Sequence, residues 1–476
     1  MRRVLVALSA LVAAVTLASA PHAARSSSPP HFVAPAGSGA LFLVRGHGWG
    51  HGVGMGQWGA QGYALQGYTF DQILAAYYPG TTAGQTAVTS IRVLLASGKK
   101  KLTLSSGKAI DVEDGDGVDH TLPAGQTTLT PALQLAVDGG GKQALDPPLT
   151  FSPTGGATLS LGRRYRGQIL VDVVNKKLRA INIVPLEQYL NGVVPAEMPS
   201  TWLPAALEAQ AVAARSYAIA SRRAAAPFDV YADGRSQAYL GISAEKPAAT
   251  QAVTDTAGEV LLYDGQVATT LFSSSTGGWT QSAVDAFGLP GRPYLVSVSD
   301  PYDSISPYHD WGPVPVTGKT LGHAFGISGR IVDAAVKRNS SRRVKTLKLT
   351  SLLRGTQNLD SVGGPATRSA LGLRSTWFSV AVLSLVPPYP NRPVASGTRL
   401  RLNGVVRGFH GVVVQERIRG RPWKQLKTVA PAKTGAFHVN VRPKMTTDYR
   451  LATAQDAAAF VRIRVLAAAS SDATVR

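Results

Sequence analysis

The sequence predicts an α+β fold that is predominantly β, with one buried Ala-rich helix and a small β-sandwich at its C-terminal end. Three observations carry this reading. Glycine (49) and proline (30) are frequent in the 476 residues, so turns are common and short strands are favoured. Apolar or alternating runs, each stopped by glycine or a polar turn, recur along most of the chain. Only "PAALEAQAVAARSYAIA" (204–220) reads as a long helix. The length implies two or three domains, and 44% hydrophobic with 16% charged residues fits a soluble globular protein.

In chain order, Arg2 and Arg3 precede the apolar run "VLVALSALVAAVTLA", and Ala18-Ser19-Ala20 and His22-Ala23-Ala24 are small-residue cleavage candidates. The expectation is a secretory signal peptide over 1–24 and an exported protein, because the run is shorter than the roughly 20 residues of a membrane span. "ARSSSPPHFVAPAGSG" reads as a linker over 25–40.

"RGHGWGHGVGMGQWGAQGYA" (45–64) follows, with glycine at every even position from Gly46 to Gly56. As a strand, this would place the glycines on one face and His47, Trp49, His51, Val53 and Met55 on the other. A bare face admits close approach by backbone or a flat ligand. Three uses of the other face stand: a metal site through His47 and His51, buried imidazoles bonded to backbone, or a polar substrate site. Alternate glycines argue against the helix that an HExxH-type metal site needs.

"YTFDQILAAYYPGT" reads as a short helix ending at Pro79-Gly80. Strands and turns follow from Ile91 to about Leu178. Pro204 suits the first turn of the Ala-rich helix, which is apolar nearly all round and therefore buried. Its Gln210, Arg215 and Tyr217 then need polar partners. "GEVLLYDGQVATTLFSSSTGGWTQS" reads as a hairpin pair broken at Asp264-Gly265 and Gly277-Gly278. Pro387, Pro388, Pro390 and Pro393 mark a boundary, so a domain is expected over 41–386 and a sandwich over 387–476.

Net charge is +21, and removing 1–24 leaves +19. Residues 386–476 hold 16 Lys/Arg against four acids, so the last fifth carries more than half of the excess. Export turns such charge away from nucleic acid and toward an anionic envelope polymer or membrane surface; solubility alone is the competing account. Cysteine is absent, which excludes cysteine nucleophiles, thiolate zinc sites and disulfides.

Glu197 stands in "VVPAEMP", crowded by apolar residues and prolines, a setting that disfavours a carboxylate's charge and suits a general acid. An inert turn glutamate is the bland alternative. Glu208 competes, but it lies seven residues before Arg215 and shares a helix face with it. Ser273, Ser274 and Ser275 in "FSSSTGG" lack a GxSxG elbow and fit sugar hydroxyl contacts as well as nucleophiles. Trp49, Trp58, Tyr217 and Tyr239 are available as aromatic sugar platforms.

"PLEQYLNGVVPAEMPSTWLPAALEAQAVAARSYAIA", "RSQAYLG", "TAGEVLLYDGQVATTLFSSSTGG", "PYLVSVSD" and "LGLRS" resemble the stage II sporulation protein D (SpoIID/LytB) family, from about Leu41 to Val386. The resemblance implies a SpoIID-like domain and a peptidoglycan lytic transglycosylase acting on glycan strands, with Glu197 as its acid. Expected substrate contacts are His47, His51, Gln57, Gln210, Arg215, Tyr217, Tyr239, Ser273, Ser274 and Arg374. No cofactor or metal is expected. Some members bind zinc through cysteines near the segment matching "YADGRSQAYLG", and this chain has none. The GHGxGHG motif, which ends the domain in the usual arrangement, begins it here and resembles a circular permutation. Some relatives modify amidases, so a non-catalytic wall-binding amidase modifier is the alternative, with peptidoglycan, anionic wall polymers or an amidase as partners. A hydrolase would need a second carboxylate, for which Asp285, Asp300 and Asp310 are the candidates.

Overall fold

A computed structural model describes residues 32–223, 225–354, 356–388 and 392–466. The expected signal peptide lies outside the described residues. Strands hold 40% of the described residues and helices 19%, the predominantly β mixture expected. Among the described residues, no helix is long and apolar enough to cross a membrane. The chain divides into two compact units. One is Gly52–Ser306; the other joins the segment ending at His51 to everything from Pro307 onward.

The Gly52–Ser306 unit is built on a seven-stranded sheet. Its order is Val230–Tyr231, Ser90–Lys99, Lys177–Pro185, Gln168–Val174, Leu149–Pro153, Ile110–Glu113 and Asp119–Leu122. All neighbours are antiparallel except the first pair. Gln168–Val174 turns into Lys177–Pro185 through Asn175-Lys176, both at positive φ (51° and 57°). That is the two-residue hairpin geometry matching strand twist. The expected Asp264-Gly265 break is a second such turn, joining Glu259–Tyr263 to Gln266–Val267.

Helices α1 (Gln57–Leu65), α2 (Phe70–Tyr77), α3 (Leu186–Glu197), α4 (Pro204–Ala220) and α5 (Pro247–Asp255) belong to this unit. A capping box of Thr69 and Gln72 starts α2. Pro204 opens α4, as expected. Ala206, Ala209, Ala211, Ala213, Ala214 and Ala218 are buried within 2% of complete exclusion, so α4 is a core helix whose small side chains admit close neighbours on several sides.

The second unit corrects the expected boundary at 386/387. Its central sheet has the order Asp310–Thr317, Leu41–His47, Phe378–Val386, Leu400–Arg407 and Ala436–Val441. Strands on either side of the proline-rich stretch are therefore hydrogen-bonded neighbours, Val382 opposite Arg407 through Val386 opposite Asn403. A sandwich does form, between this sheet and a four-stranded one ordered Lys424–Thr428, Val413–Ile418, Thr447–Ala452 and Val461–Ile463. Its core joins Leu41, Leu43, Leu383 and Leu385 to Val414, Tyr449 and Leu451. On the opposite face Phe42, Val44 and Val382 pack with Ile331, Leu347 and Leu349 of a three-stranded sheet. "LFLV" is continuously apolar because both faces of its strand are buried. The described part of the expected linker is also packed: Ala34 is buried, donates to the Ala457 carbonyl at 2.9 Å, and the Phe32 carbonyl accepts from Ala457.

The glycine motif is not one strand. The strand ends at His47, and Gly48, Gly50, Gly52 and Gly54 all take positive φ, from 70° to 111°. Alternation reflects left-handed backbone at four positions and close approach at the ends. A Cβ on Gly46 would strike Trp311 and the Trp377 carbonyl, and one on Gly56 would lie 2.7 Å from Thr276 Cγ2 and 2.8 Å from Asp300 Oδ2.

Candidate functional site

The strand Lys177–Pro185 runs directly into α3, and Glu197 is the last residue of that helix. Pro195 removes a backbone donor from the final turn, and the helix stops two residues on. Glu197 Oε1 accepts a 2.5 Å hydrogen bond from the Ala238 amide. Burial raises the Glu197 pKa above the ordinary carboxylate value, and the Ala238 bond opposes it with a smaller effect. This is the apolar crowding read from "VVPAEMP".

Three amide side chains and a phenol bond to Glu197's main chain or to one another and the segment that holds it. Gln57, the first residue of α1, donates through Nε2 to the Glu197 main-chain carbonyl at 3.1 Å and lies 3.4 Å from Gln210 Oε1. Gln210 is fully buried in α4, and its Nε2 has no partner among the described residues. Two turns before Glu197, the buried Tyr189 hydroxyl donates to Gln237 Oε1 at 2.9 Å, and Gln237 Nε2 donates to the Ala214 carbonyl. Burial pushes the Tyr189 phenol well up, and Tyr217, Glu197 and Tyr239 add to the shift. Gln237 is thus pinned to α3 and α4 just before the bond to Glu197, and just after it the Leu240 amide donates to the Gly192 carbonyl of α3 at 3.3 Å. Trp58 follows Gln57 and meets Trp202 at 4.8 Å between ring centroids, both half-buried.

Other expected contacts have different roles. Tyr239 is a core residue, 2% exposed, its hydroxyl donating to Asn182 Oδ1 at 2.8 Å. Arg215 is fully buried and pairs with Glu187, not Glu208, at 2.6 Å; it also donates to the Glu259 and Val253 carbonyls. A guanidinium so engaged is structural. Ser273 is buried and accepts from the Gly52 amide at 3.1 Å, and the Ser274 carbonyl accepts from the Trp58 amide. The half-buried Tyr217 helps to line a cavity of about 260 Å³ with Arg222, Arg223 and Arg235.

His47, His51 and Arg374 belong to the other unit, so the expected grouping of His47 and His51 with Gln57 is not a feature of one compact body. His47 Nδ1 pairs with Asp310 at 2.6 Å and its ring packs on Trp377. Arg374 lies over Trp49 and Tyr308, 5.0 and 4.7 Å from their ring centroids.

Of the second-carboxylate candidates, Asp300 is buried and accepts from Thr276 Oγ1 at 2.7 Å. The neighbouring Asp303 accepts from Ser275 Oγ and the Thr276 and Gly277 amides, each at 2.9 Å. Those two carboxylates hold the "SSSTGG" turn. The amide of Asp285 is capped by Ser282 at the start of a short helix.

Tyr189, Gln237 and Trp202 were missed as site residues. Gln237 carried a signal, a polar side chain inside a motif segment bordered by apolar residues. Ala238 carried none, because it acts through its backbone.

Residues 174–263 match the family model described as Stage II sporulation protein, SpoIID. The chain is 38% identical over 153 residues to an uncharacterized protein of Brachyspira hyodysenteriae, covering 32% of this chain and 41% of that one. It is 33% identical over 156 residues to Stage II sporulation protein D of Bacillus subtilis, covering 29% and 45%. Over 114 residues it is 40% identical to the Amidase enhancer of Bacillus subtilis, covering 24% and 15%. The matches span less than half the length of each relative. No solved structure matches the chain. The matched segment holds the Lys177–Pro185 strand, Glu197, all of α4 and the Gln237–Ala238 clasp, and over that segment the chain is similar to the SpoIID family.

Proposed function

We propose that the protein is an exported peptidoglycan lytic transglycosylase that cleaves glycan strands to 1,6-anhydro-muramyl ends during wall remodelling, with Glu197 as acid and base. The observation that carries this reading is the desolvated Glu197 carboxyl, whose shift owes nothing to a second carboxylate. The upward Glu197 shift comes from burial and is opposed by the Ala238 amide, with no charged neighbour contributing. Hydrolases of the common types use two carboxylates; intramolecular closure uses one. Protonated Glu197 would give its proton to the glycosidic oxygen as the C1–O bond breaks. The muramyl C6 hydroxyl would then attack C1, and its proton would return to Glu197. A raised pKa keeps the acid form available above the ordinary carboxylate range, so cleavage falls as pH rises through that pKa.

Glu197→Gln keeps shape but cannot transfer the proton. General acid–base help is worth about 10²–10⁴-fold, and one group serving both halves places the expected loss near the top of that range, with glycan binding retained. Mass spectrometry of digested glycan strands in H₂¹⁸O should give anhydro ends without label. Labelled reducing ends, or full activity in a folded Glu197→Gln protein, would sink the mechanism.

The similarity to a protein named Amidase enhancer supports a second reading, a non-catalytic wall-binding modifier of an N-acetylmuramoyl-L-alanine amidase. In that case the purified protein alone yields no anhydro ends and raises stem-peptide release only when an amidase is added.

A further inference from the structure

The outer face of the four-stranded sheet carries a cluster that the Glu197 site does not use. Across three adjacent strands, Arg417 stands opposite Asp448 and Asp448 opposite Arg462, while Gln415 stands opposite Arg450. Period-two alternation puts all five on one face, with Val414, Tyr449 and Leu451 turned into the sandwich. Asp448 is 2% exposed and pairs with Arg417 at 3.1 Å and Arg462 at 2.7 Å. Among the described residues Arg450 pairs with no carboxylate; its Nε donates to the neutral Gln415 at 2.8 Å. Three guanidiniums therefore share one carboxylate.

Two aromatic rings hold them. The Arg417 and Arg450 guanidiniums lie 4.3 and 4.1 Å from the Trp423 ring centroid, and Arg462 lies 5.3 Å from that of Phe460. Stacking fixes a guanidinium plane and leaves its N–H edge directed past the ring. Arg417 Nε is buried with no partner among the described residues. Burial, and after it the Arg417 charge, hold the Arg450 pKa below its ordinary value. The rings and Arg417 and Arg450 line a hollow of about 270 Å³. Exposed Arg419 and Arg421 stand in the turn that follows the Arg417 strand, whereas Lys424, opposite Glu416, and Lys427, opposite Val414, belong to the other face.

We propose that this face, with Arg417 and Arg450 around Trp423, is a binding site for the oxyanion groups of an acidic polymer. Fixed, planar, under-neutralised guanidiniums match carboxylate or phosphate oxygens through paired N–H donors. Arg462 on the same face and Arg419 and Arg421 in the adjoining turn favour a ligand that repeats its anion along a chain over a single small ion. The site stands independently of the Glu197 reading.

The test measures binding of the full chain to poly(glycerol phosphate), to polygalacturonate and to neutral chitotetraose, by calorimetry across a salt series. Binding to one or both acidic polymers is expected, weakening as salt screens it, with none to chitotetraose at this site. Phosphate or carboxylate preference identifies the source of the oxyanion. Arg450→Gln, which leaves the Asp448 pairs intact, should weaken binding at least about tenfold, the scale of a lost charge-assisted hydrogen bond. Trp423→Ala should weaken it as well. Lys433→Gln/Arg442→Gln removes two exposed charges outside the four-stranded sheet and should cost less than threefold by comparison with that scale. The proposal is overturned if neither polymer binds, if folded Arg450→Gln binds as the unaltered protein does, or if the remote double variant weakens binding as much.

Discussion

Gly59→Ala isolates why the glycine motif continues into α1. In an open helix this change stabilises, because alanine is about 0.8–1.0 kcal/mol better than glycine. Here the added Cβ would sit closer than 3.0 Å to Tyr77 Oη and to both carboxylate oxygens of Asp300. All of these groups are buried: Tyr77 is 1% exposed and Asp300 0%. Overpacking costs about 1–3 kcal/mol, and displacing Asp300 also strains its bond to Thr276, at about 1–3 kcal/mol for a disturbed buried polar contact. The clash outweighs the propensity gain, for a net loss of about 3 kcal/mol at the middle of these ranges. In a unit of this size that corresponds to a melting temperature lower by roughly 6–12 °C. Calorimetry on the full chain reads it, with Gly107→Ala as the control, since a Cβ there meets nothing within 4 Å. A Gly59→Ala protein as stable as the control would refute the packing argument.

Truncation after Val386 should fail to give a soluble folded protein, because it strips Leu383 and Leu385 of their partners Leu400, Leu402, Val414 and Leu451; a monomeric product with a cooperative melt would restore the boundary at 386/387. His120 is held between Asp138 at 2.9 Å and Asp114 at 3.2 Å, and both carboxylates raise its pKa. A raised folded pKa stabilises below the unfolded value of about 6.5 and the gain is lost as pH rises through the folded value. The melting temperature of the unaltered protein should therefore exceed that of His120→Gln at pH 6 and converge toward it at higher pH; a constant difference would refute this.

Much of the secondary structure was legible because it rests on local chemistry. Pro204 and an all-round apolar surface announced α4, Asp264-Gly265 announced a hairpin, and "VVPAEMP" announced a desolvated carboxyl at Glu197. Each is decided by dihedral preference or by residues a few positions away. What the tertiary structure decided is which distant segments meet. Arg215 pairs with Glu187, which lies 28 residues earlier, because packing of α4 on α3 outranks a shared helix face with Glu208. Tyr239 has the composition of a sugar platform, yet its hydroxyl meets Asn182 and its ring is enclosed. The proline-rich stretch after Val386 looked like a domain border, but prolines stop strands without preventing the flanking strands from pairing. Alternate glycines have the period of a strand, but the same period serves a backbone that enters left-handed φ at every second residue. Local rules set what each segment can be; long-range contacts, which carry most of the buried apolar area, select among those possibilities.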